Sequence, residues 1–583
     1  MESDDTVNKH VLILVLLCLL SAAYIVPLGL RPLFEPDEVR YAEIPREMIA
    51  SGDWVVPRLN GFRYFEKPPL GYWATALSMK AFGQNEFAVR LPMALSALIV
   101  AFALFLFARR FFKSVQAPEL AAAVFLTMGG VYAIGTFCVL DMLLTMFLSI
   151  GIVFFFFAYV EPSAGRKALY LALFGLCCGG AFLTKGFLAF AVPCVVIGPF
   201  LLWERRPGQL LRLPWIPIVA AILVTLPWAI LVHKREPDFW RYFFWEEHVR
   251  RFFAQDAQHR EPFWFYVPMI LALAMPWTLF APSATIGLRR KGLKDPATRL
   301  AICWLLFPFL FFSAAKGKLG TYILPCLPPL ALLTVHGLYA YSAAEGRRLF
   351  NVTGKLLSWV LALGSAGLLL WQVGPFNWKP YGMGEGWKVA VAIACVTAWA
   401  AALHVAAARK NAAYRVFWIA AGPCLLLITG NALLPDSIVG QKAPGVFLAR
   451  NAERIRESGR AVYAQRSLVQ ATCWQFKRAD VRLLGLSSEF RYGATFSDAA
   501  GRVTPLETFA DFLTHSSTDT LVSVLAYERH YAEFRPMLPP PVFENMNGAF
   551  ALAQYRGGGK APQQARQQQA VSGQDDVLAA EQP

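Results

Sequence analysis

The sequence has few charged residues for its length. Lys, Arg, Asp and Glu make up 16% of the 583 residues, whereas hydrophobic residues make up 56%. A soluble domain carries about 25% charged residues, and a single hydrophobic core stops growing near about 250–300 residues. The scarcity of charge therefore excludes a soluble globular chain and indicates that a lipid bilayer surrounds much of the protein.

The common nucleotide and metal motifs are also absent. The sequence contains no Walker-type phosphate loop, no HExxH, no GxGxxG and no CxxC pair, so we expect no use of ATP or of a dinucleotide. These absences indicate no required cofactor and leave a divalent metal as an open alternative. Nine of the ten cysteines lie in or beside apolar runs, and only Cys473 lies in the C-terminal region. A single cysteine cannot form a disulfide within that region. The N-terminal run lacks a small-residue cleavage site and is expected to remain as a first helix.

Apolar runs fill the first three quarters of the chain. A helix that crosses a bilayer needs about 20 mainly apolar residues, and the sequence predicts about thirteen such spans. They lie near 10–30, 90–108, 117–134, 137–159, 168–183, 186–203, 213–232, 263–282, 299–314, 320–340, 354–373, 387–407 and 414–434. We therefore predict an α-helical polytopic membrane protein.

The net charge of +16 follows the predicted topology. Lys and Arg concentrate in alternate short connections, such as those at 109–113 and 289–299. This bias is typical of cytoplasmic loops, so we expect a cytoplasmic N-terminus, an extracytoplasmic C-terminal domain and no nucleic-acid partner.

Composition also predicts the domain boundaries. Residues 1–434 form the transmembrane domain, with long outer loops at 31–89 and 233–262; the first of these loops contains helical patches near 38–51 and 69–83. Residues 435–556 alternate helix and strand patterns, which predicts a small α/β domain. Amphipathic helices are predicted across 442–458 and 504–515, and strands across 461–464, 481–486, 520–527 and 550–556. The tail, 557–583, is poor in apolar residues and is expected to be disordered.

Charged residues lie beside the spans on the expected outer side. Asp37 follows the first span directly, and Asp141 lies inside or at the very edge of another, where a carboxylate usually faces a cavity or a partner. Lys185, Lys316 and Lys318 interrupt apolar runs. Lysines there either extend to the interface or bind a phosphate. Their shared side favours an amphipathic substrate with a phosphate head and a lipid tail.

Further candidates lie in the two outer loops. The first loop contributes Arg40, Tyr41 and Lys67 as substrate-binding candidates, and the second contributes Arg250 and Arg251. Glu66 and His248 are candidate ligands of a divalent metal, although one histidine beside acidic residues is a weak metal signal, and an exposed polar histidine is the simpler interpretation.

The sequence resembles the bacterial lipid A 4-amino-4-deoxy-L-arabinose transferases, which belong to the GT-C superfamily together with the protein O-mannosyltransferases. The matching stretches are PDEVRYAEIPREMIASGDWVVP, RYFEKPPLGYW, FLTKGFLAF, HVRRFFAQDAQHREPFWFYVP and GKLGTYILPCLPPLALL. They extend from the first outer loop to about residue 330; the later spans and the soluble domain match only in layout.

The resemblance implies a reaction and places residues in it. The aminosugar moves from undecaprenyl phosphate to a phosphate of lipid A at the periplasmic face of the bacterial inner membrane, with inversion at the anomeric carbon, and the product confers resistance to cationic peptides such as polymyxin. The aspartates of the family fall on Asp37 and Asp141, its basic residues on Lys67 and Lys185, and the GKLGTYILP stretch contains Tyr322, a further substrate-binding candidate.

Two other functions remain open at this point. A different GT-C transferase would use another sugar or a protein hydroxyl as acceptor, and Asp37 would then have to accept a proton. A transporter of lipid-linked sugars would place polar residues near the midplane, often in two matching halves; the sequence shows no internal repeat.

Overall fold

The structure is a computed structural model that describes residues 2–112, 117–250, 260–343, 348–409, 412–487 and 489–559. Its contacts divide the chain into two compact units. The first contains Met1–Arg31 and Phe65–Pro435, and the second contains Pro32–Tyr64 and Asp436–Pro583. The first outer loop, which composition assigned as a whole to the transmembrane domain, is therefore divided between the two units.

The first unit is helical. Its α-helices are Glu2–Ile25, Leu70–Phe82, Glu86–Phe111, Ala117–Leu126, Gly129–Gly135, Asp141–Val160, Ala164–Lys185, Leu188–Trp203, Gln209–Arg212, Trp215–Arg235, Tyr266–Leu273, Ala281–Lys291, Pro296–Ala314, Leu327–Ala343, Arg348–Val373, Gly386–Ala408, Ala412–Ala421 and Cys424–Thr429. A π-helix occupies Arg241–Arg250.

The described helices agree with the predicted spans. Eight are long and apolar enough to cross a membrane, two bent helix pairs pass the same test together, and three shorter apolar helices accompany them. Each of the thirteen predicted runs overlaps one of these helices or helix pairs. The prediction of a polytopic helical membrane protein is confirmed, because runs of this length and hydropathy can satisfy their backbone polar groups in lipid only as helices.

Glycine permits one close helix contact in this unit. A Cβ atom on Gly287 would lie 1.9 Å from the carbonyl oxygen of Gly337, so the helices that contain these two residues touch through their backbones. Small residues at such positions are typical of helix packing in membranes, where close van der Waals contact replaces the hydrophobic effect.

The second unit is built on a six-stranded mixed sheet. Its strands are β3 (Val462–Ala464), β4 (Arg482–Leu484), β5 (Val503–Thr504), β6 (Leu521–Tyr527), β7 (Phe543–Met546) and β8 (Phe550–Arg556), after a hairpin of β1 (Arg58–Leu59) and β2 (Phe62–Arg63). The strand order is β5-β4-β3-β6-β8-β7, in which the first four strands are parallel and β8 is antiparallel to both neighbours.

Helices of the second unit follow the sequence pattern only in part. They are Asp37–Ser51, Asp436–Lys442, Pro444–Arg450, Ala452–Glu457, Ser467–Phe476, Leu506–His515 and Glu528–Phe534. The single helix expected across 442–458 is broken at Asn451. The helix Ser467–Phe476 was not predicted, because the burial of Ser467, Gln470 and Thr472 along with its apolar residues removes the amphipathic pattern.

The helix Asp37–Ser51, here called the loop helix, packs against the helix Ser467–Phe476. Asp37 and Glu38 occupy its first turn, where negative charge offsets the helix dipole. It ends at Gly52, whose φ of 72° is the left-handed conformation that a helix terminus of this kind requires.

A buried ion pair anchors the loop helix. The guanidinium of Arg46 donates to both carboxylate oxygens of Glu43, at 2.7 and 2.6 Å, and to the carbonyl oxygen of Arg478 at 2.9 Å. Burial raises the pKa of the Glu43 carboxyl, whereas the hydrogen bonds from Arg46 lower it and so favour the charged form. Arg46 therefore stabilises a carboxyl group that water cannot reach.

We predict that Arg46→Ala destabilises the second unit by about 3–5 kcal/mol, because it leaves Glu43 buried without its cation. The matched control is Arg454→Ala, which breaks an exposed pair with Glu457 at the same helical spacing and should cost about 0.3–0.5 kcal/mol. The measurement is the thermal unfolding midpoint of the full-length protein. Equal midpoints for the two variants would contradict the anchoring role of Arg46.

Candidate functional site

Asp141 and Lys185 form a buried ion pair in the first unit. The ammonium group of Lys185 donates to Oδ1 of Asp141 at 2.6 Å, and the two side chains are only 10% and 11% exposed. The sequence identified both residues as candidates but could not show that they are partners. A buried charge without a partner is strongly unfavourable, so each residue requires the other.

The position of the pair follows from where two spanning helices begin and end. Asp141 is the first residue of its helix and Lys185 is the last residue of another. A carboxylate at a helix N-terminus and an ammonium at a C-terminus are both favoured by the helix dipole. Gly186, with φ of 80°, allows the chain to leave the second helix directly after Lys185.

Tyr322 completes this group. Its ring centroid lies 4.7 Å from the Lys185 nitrogen, a distance at which a cation and an aromatic face attract each other. Tyr266 was not predicted; its hydroxyl donates to the carbonyl oxygen of Leu319 at 3.1 Å and holds the chain before Tyr322. The group therefore places one ammonium, one carboxylate and an aromatic ring together at the ends of two apolar helices.

Lys316 and Lys318 line a second feature of the first unit, a cavity of about 490 Å³. The ammonium group of Lys318 donates to the carbonyl oxygens of Glu261, at 2.8 Å, and Ala315, so its position is fixed. Ser313 contributes a buried hydroxyl that has no hydrogen-bond partner among the described residues. Three basic residues, Arg260, Lys316 and Lys318, outnumber the one acidic residue in the lining of this cavity, which therefore has the character of an anion site.

Asp37 lies in the second unit, at the first position of the loop helix. Its carboxylate accepts a hydrogen bond from Arg40, and its side chain remains 41% exposed. The Arg40 guanidinium also lies 5.2 Å from the ring centroid of Tyr41. The three loop candidates therefore form one group, in which the Asp37 carboxylate remains accessible.

Residues of the C-terminal region hold this group, and sequence analysis missed them. Glu489 accepts a hydrogen bond from Arg40 at 2.8 Å and another from Gln470 at 2.9 Å. Glu35 accepts hydrogen bonds from Ser467, at 2.8 Å, and from Tyr527. More than 400 positions separate the loop residues from these C-terminal partners along the chain, so no local signal could have identified them.

Burial raises the pKa of the Glu35 carboxyl, whereas the hydrogen bonds from Tyr527 and Ser467 lower it. The contact with Tyr527 lowers the pKa of Glu35 but raises that of Tyr527. Burial and the adjacent Glu35 both raise the pKa of the Tyr527 hydroxyl. The hydroxyl groups therefore remain protonated and serve as hydrogen-bond donors.

Among the residues that the structure describes, the remaining candidates do not form a group with one another. Lys67 lies in the first unit, where its ammonium group donates to the carbonyl oxygen of Glu66 at 2.8 Å. The side chains of His248 and Arg250 and the whole of Arg251 lie outside the described part of the chain. Among the described residues no group of three potential metal ligands occurs, so the metal at Glu66 and His248 stays a prediction.

Comparison with known protein families gives two matches. Residues 10–243 match the family described as dolichyl-phosphate-mannose-protein mannosyltransferase. Residues 439–554 match the family described as the C-terminal domain of the arabinosyl transferase ArnT. The second match covers the C-terminal part of the second unit.

Individual relatives match over nearly the whole chain. Proteins named undecaprenyl phosphate-alpha-4-amino-4-deoxy-L-arabinose arabinosyl transferase are 37% identical in Shewanella sediminis, over 91% of this chain and 96% of theirs, and 39% identical in Aeromonas hydrophila, over 86% and 91%. The crystal structure of ArnT from Cupriavidus metallidurans bound to undecaprenyl phosphate is similar, with a TM-score of 0.77 and 25% identity over 94% of this chain and 99% of that chain.

We predict that Asp141→Asn destabilises the protein by about 3–5 kcal/mol, because Lys185 then remains buried without a counter-charge. The double variant Asp141→Asn with Lys185→Met removes both charges and should fold better than the single variant, yet remain catalytically inactive. Thermal midpoint and activity are measured on the same preparations.

The matched control is the ion pair of Glu385 and Lys388, also in the first unit, at 2.7 Å and with side chains 8% and 9% exposed. Glu385→Gln with Lys388→Met should retain activity. Activity in the Asp141 and Lys185 double variant equal to that of this control would show that the first pair serves stability alone.

Proposed function

The chain belongs to the family of undecaprenyl phosphate-alpha-4-amino-4-deoxy-L-arabinose arabinosyl transferases, and on this premise we propose that it transfers this aminosugar from undecaprenyl phosphate to a phosphate group of lipid A. It is a glycosyltransferase and an integral protein of the inner membrane. The transferred sugar carries an amino group, so the product has less negative charge and binds cationic peptides such as polymyxin less strongly.

One observation carries the proposal most directly. The pair of Asp141 and Lys185 lies at the ends of two apolar helices, with Tyr322 beside the ammonium group. An ionisable residue within a membrane-spanning segment is costly and usually faces a substrate pathway, a water-filled cavity or a charged partner. The pair suits a substrate that brings both a phosphate and an amino group to the membrane surface.

The proposed reaction does not need a strong general acid or a strong general base. The bond between the anomeric carbon and the donor phosphate oxygen breaks, and a new bond forms from that carbon to an acceptor phosphate oxygen. The leaving phosphate is stable as an anion, and the acceptor phosphate is ionised near neutral pH. The protein must instead hold two anions close to each other, which gives much of the rate.

In the proposal, basic residues hold the donor and acceptor phosphates close to each other. Lys67, Lys185, Lys316 and Lys318 offset the repulsion between the two phosphates. We assign Asp37 and Asp141 to the positive side of the reaction, where a carboxylate pairs with the 4-amino group or with the charge that develops at the anomeric carbon. The exposed fraction of Asp37 supports its contact with substrate.

The proposed orientation places the reaction at the periplasmic face, with the N-terminus in the cytoplasm and the second unit in the periplasm. The distribution of Lys and Arg among the connections supports it. The solved relative from Cupriavidus metallidurans is bound to undecaprenyl phosphate. Transfer of the sugar to lipid A goes beyond that comparison and is part of the proposal.

We predict that the protein adds one aminopentose to lipid A in a bacterium whose own aminoarabinose transferase is deleted. The measurement is the mass of extracted lipid A. Asp37→Ala should abolish the addition, because it removes the accessible carboxylate of the loop group, whereas Asp511→Ala, at an exposed position of the same unit, should not. Asp37→Asn separates the loss of the negative charge from the loss of the side chain, because it removes only the charge. Near-normal turnover in this variant would exclude a role for the charge.

The other outcomes of this measurement separate the alternatives. A different added mass keeps the mechanism and changes the donor sugar. Unmodified lipid A in cells that contain well-folded protein would contradict the proposal, and glycosylation of proteins or transport of the lipid-linked sugar would then be tested.

A further inference from the structure

Three side chains form a hydrogen-bonded group at the start of the loop helix, here called the Glu35 cluster: Glu35, Ser467 and Tyr527. The Ser467 hydroxyl donates to Oε2 of Glu35 at 2.8 Å, the Tyr527 hydroxyl contacts the same oxygen, and the two hydroxyls contact each other. Glu35 comes from the first outer loop, whereas the other two come from the C-terminal α/β region.

The backbone of Glu35 is held as well as its side chain. Its amide donates to the carbonyl oxygen of Lys442 at 2.9 Å. Glu35 therefore has three contacts to the C-terminal region, two through its carboxylate and one through its amide. Asp37 follows two positions later, so these contacts define where the chain enters the loop helix.

A second connection fixes the other side of the first helical turn. Arg40 binds both Asp37 and Glu489, and Gln470 holds Glu489 in place. Ser467 and Gln470 belong to the same helix, against which the loop helix packs. The residue that the proposed function assigns to substrate thus lies between two attachments to one rigid element.

We propose that Ser467 and Tyr527 are positioning residues for Asp37: by holding Glu35 they fix the carboxylate of Asp37 at the start of the loop helix. This inference rests on the proposed function of Asp37. It gives the C-terminal region a task in sugar transfer, although Ser467 and Tyr527 act through Glu35.

Asp37 needs such positioning because the reaction rate depends steeply on where the reacting groups lie. Reacting groups must be held within about 0.5 Å of the productive geometry, and a displacement of about 1 Å can lower the rate about 100-fold. A half-exposed aspartate at the first position of a helix has little packing of its own. Its position must therefore come from the residues on either side of it.

A second tyrosine of the same region provides the matched control. The Tyr531 hydroxyl donates to Glu544 at 2.5 Å and contacts the hydroxyl of Tyr555 at 2.9 Å. Like Tyr527, it contacts one carboxylate and one hydroxyl, but all its partners lie within the C-terminal sheet region. Tyr527→Phe and Tyr531→Phe thus remove the same kinds of contact, and only the first change reaches the outer loop.

The experiment measures kcat and KM for sugar transfer by full-length protein, together with the thermal midpoint. Tyr527→Phe should lower kcat about tenfold to 100-fold with little change in KM, whereas Tyr531→Phe should keep the wild-type kcat at a similar midpoint. Ser467→Ala should also lower kcat, and Ser467→Thr, which keeps the hydroxyl, should restore it. Wild-type kcat in Tyr527→Phe, or equal losses in both tyrosine variants, would overturn the inference.

Hydrogen exchange at the amides of residues 37–41 separates this inference from the proposed function. Faster exchange there in Tyr527→Phe than in Tyr531→Phe supports positioning, whichever sugar or acceptor the wild-type protein uses. Unchanged exchange would refute positioning even if lipid A is the acceptor. Failure of the wild-type protein to modify lipid A, by contrast, would refute the acceptor and leave the exchange result in force.

Discussion

A charged side chain that is removed from water needs an opposite charge or hydrogen-bond partners beside it, and both units of this protein depend on that constraint. In the first unit the constraint joins Asp141 to Lys185, and with them the beginning of one spanning helix to the end of another. In the second unit it joins Arg46 to Glu43. Bilayer insertion or burial makes each pair costly to break, so the geometry of the surrounding helices is held wherever such a pair occurs.

The same constraint explains why distant parts of the chain assemble. Pro32–Tyr64 belongs to one compact unit with the C-terminal region, and polar contacts connect the two parts: Arg40 with Glu489, Glu35 with Tyr527, and Arg58 with Asp498. A loop between two spans has too little apolar surface to fold alone. The C-terminal sheet supplies the partners that make the loop helix stable and give Asp37 a defined position.

Local patterns predicted the elements of this protein well. The thirteen apolar runs, the loop helices near 38–51 and 69–83, and four strands of the sheet follow from periodicity and length. Lys185 was predicted at a helix end because it interrupts two apolar runs, whereas Asp141 was predicted inside or at the very edge of a span, and the structure places it at the first position of a helix. Partners were not predictable in this way: Lys185 lies 44 residues from Asp141, and nothing local distinguishes Glu489, Ser467 or Tyr527 from surface residues. The helix Ser467–Phe476 was missed because tertiary burial of its polar residues overrides the amphipathic pattern.

The most direct test of the account uses purified full-length protein in liposomes that contain undecaprenyl phosphate-linked aminoarabinose and lipid A. Fragmentation of the product by mass spectrometry identifies the atom that carries the sugar, and the released undecaprenyl phosphate is quantified in parallel. We expect the sugar to be attached to a lipid A phosphate and one undecaprenyl phosphate to be released for each sugar transferred. Attachment to a hydroxyl group, or movement of intact donor across the bilayer without release, would contradict this expectation.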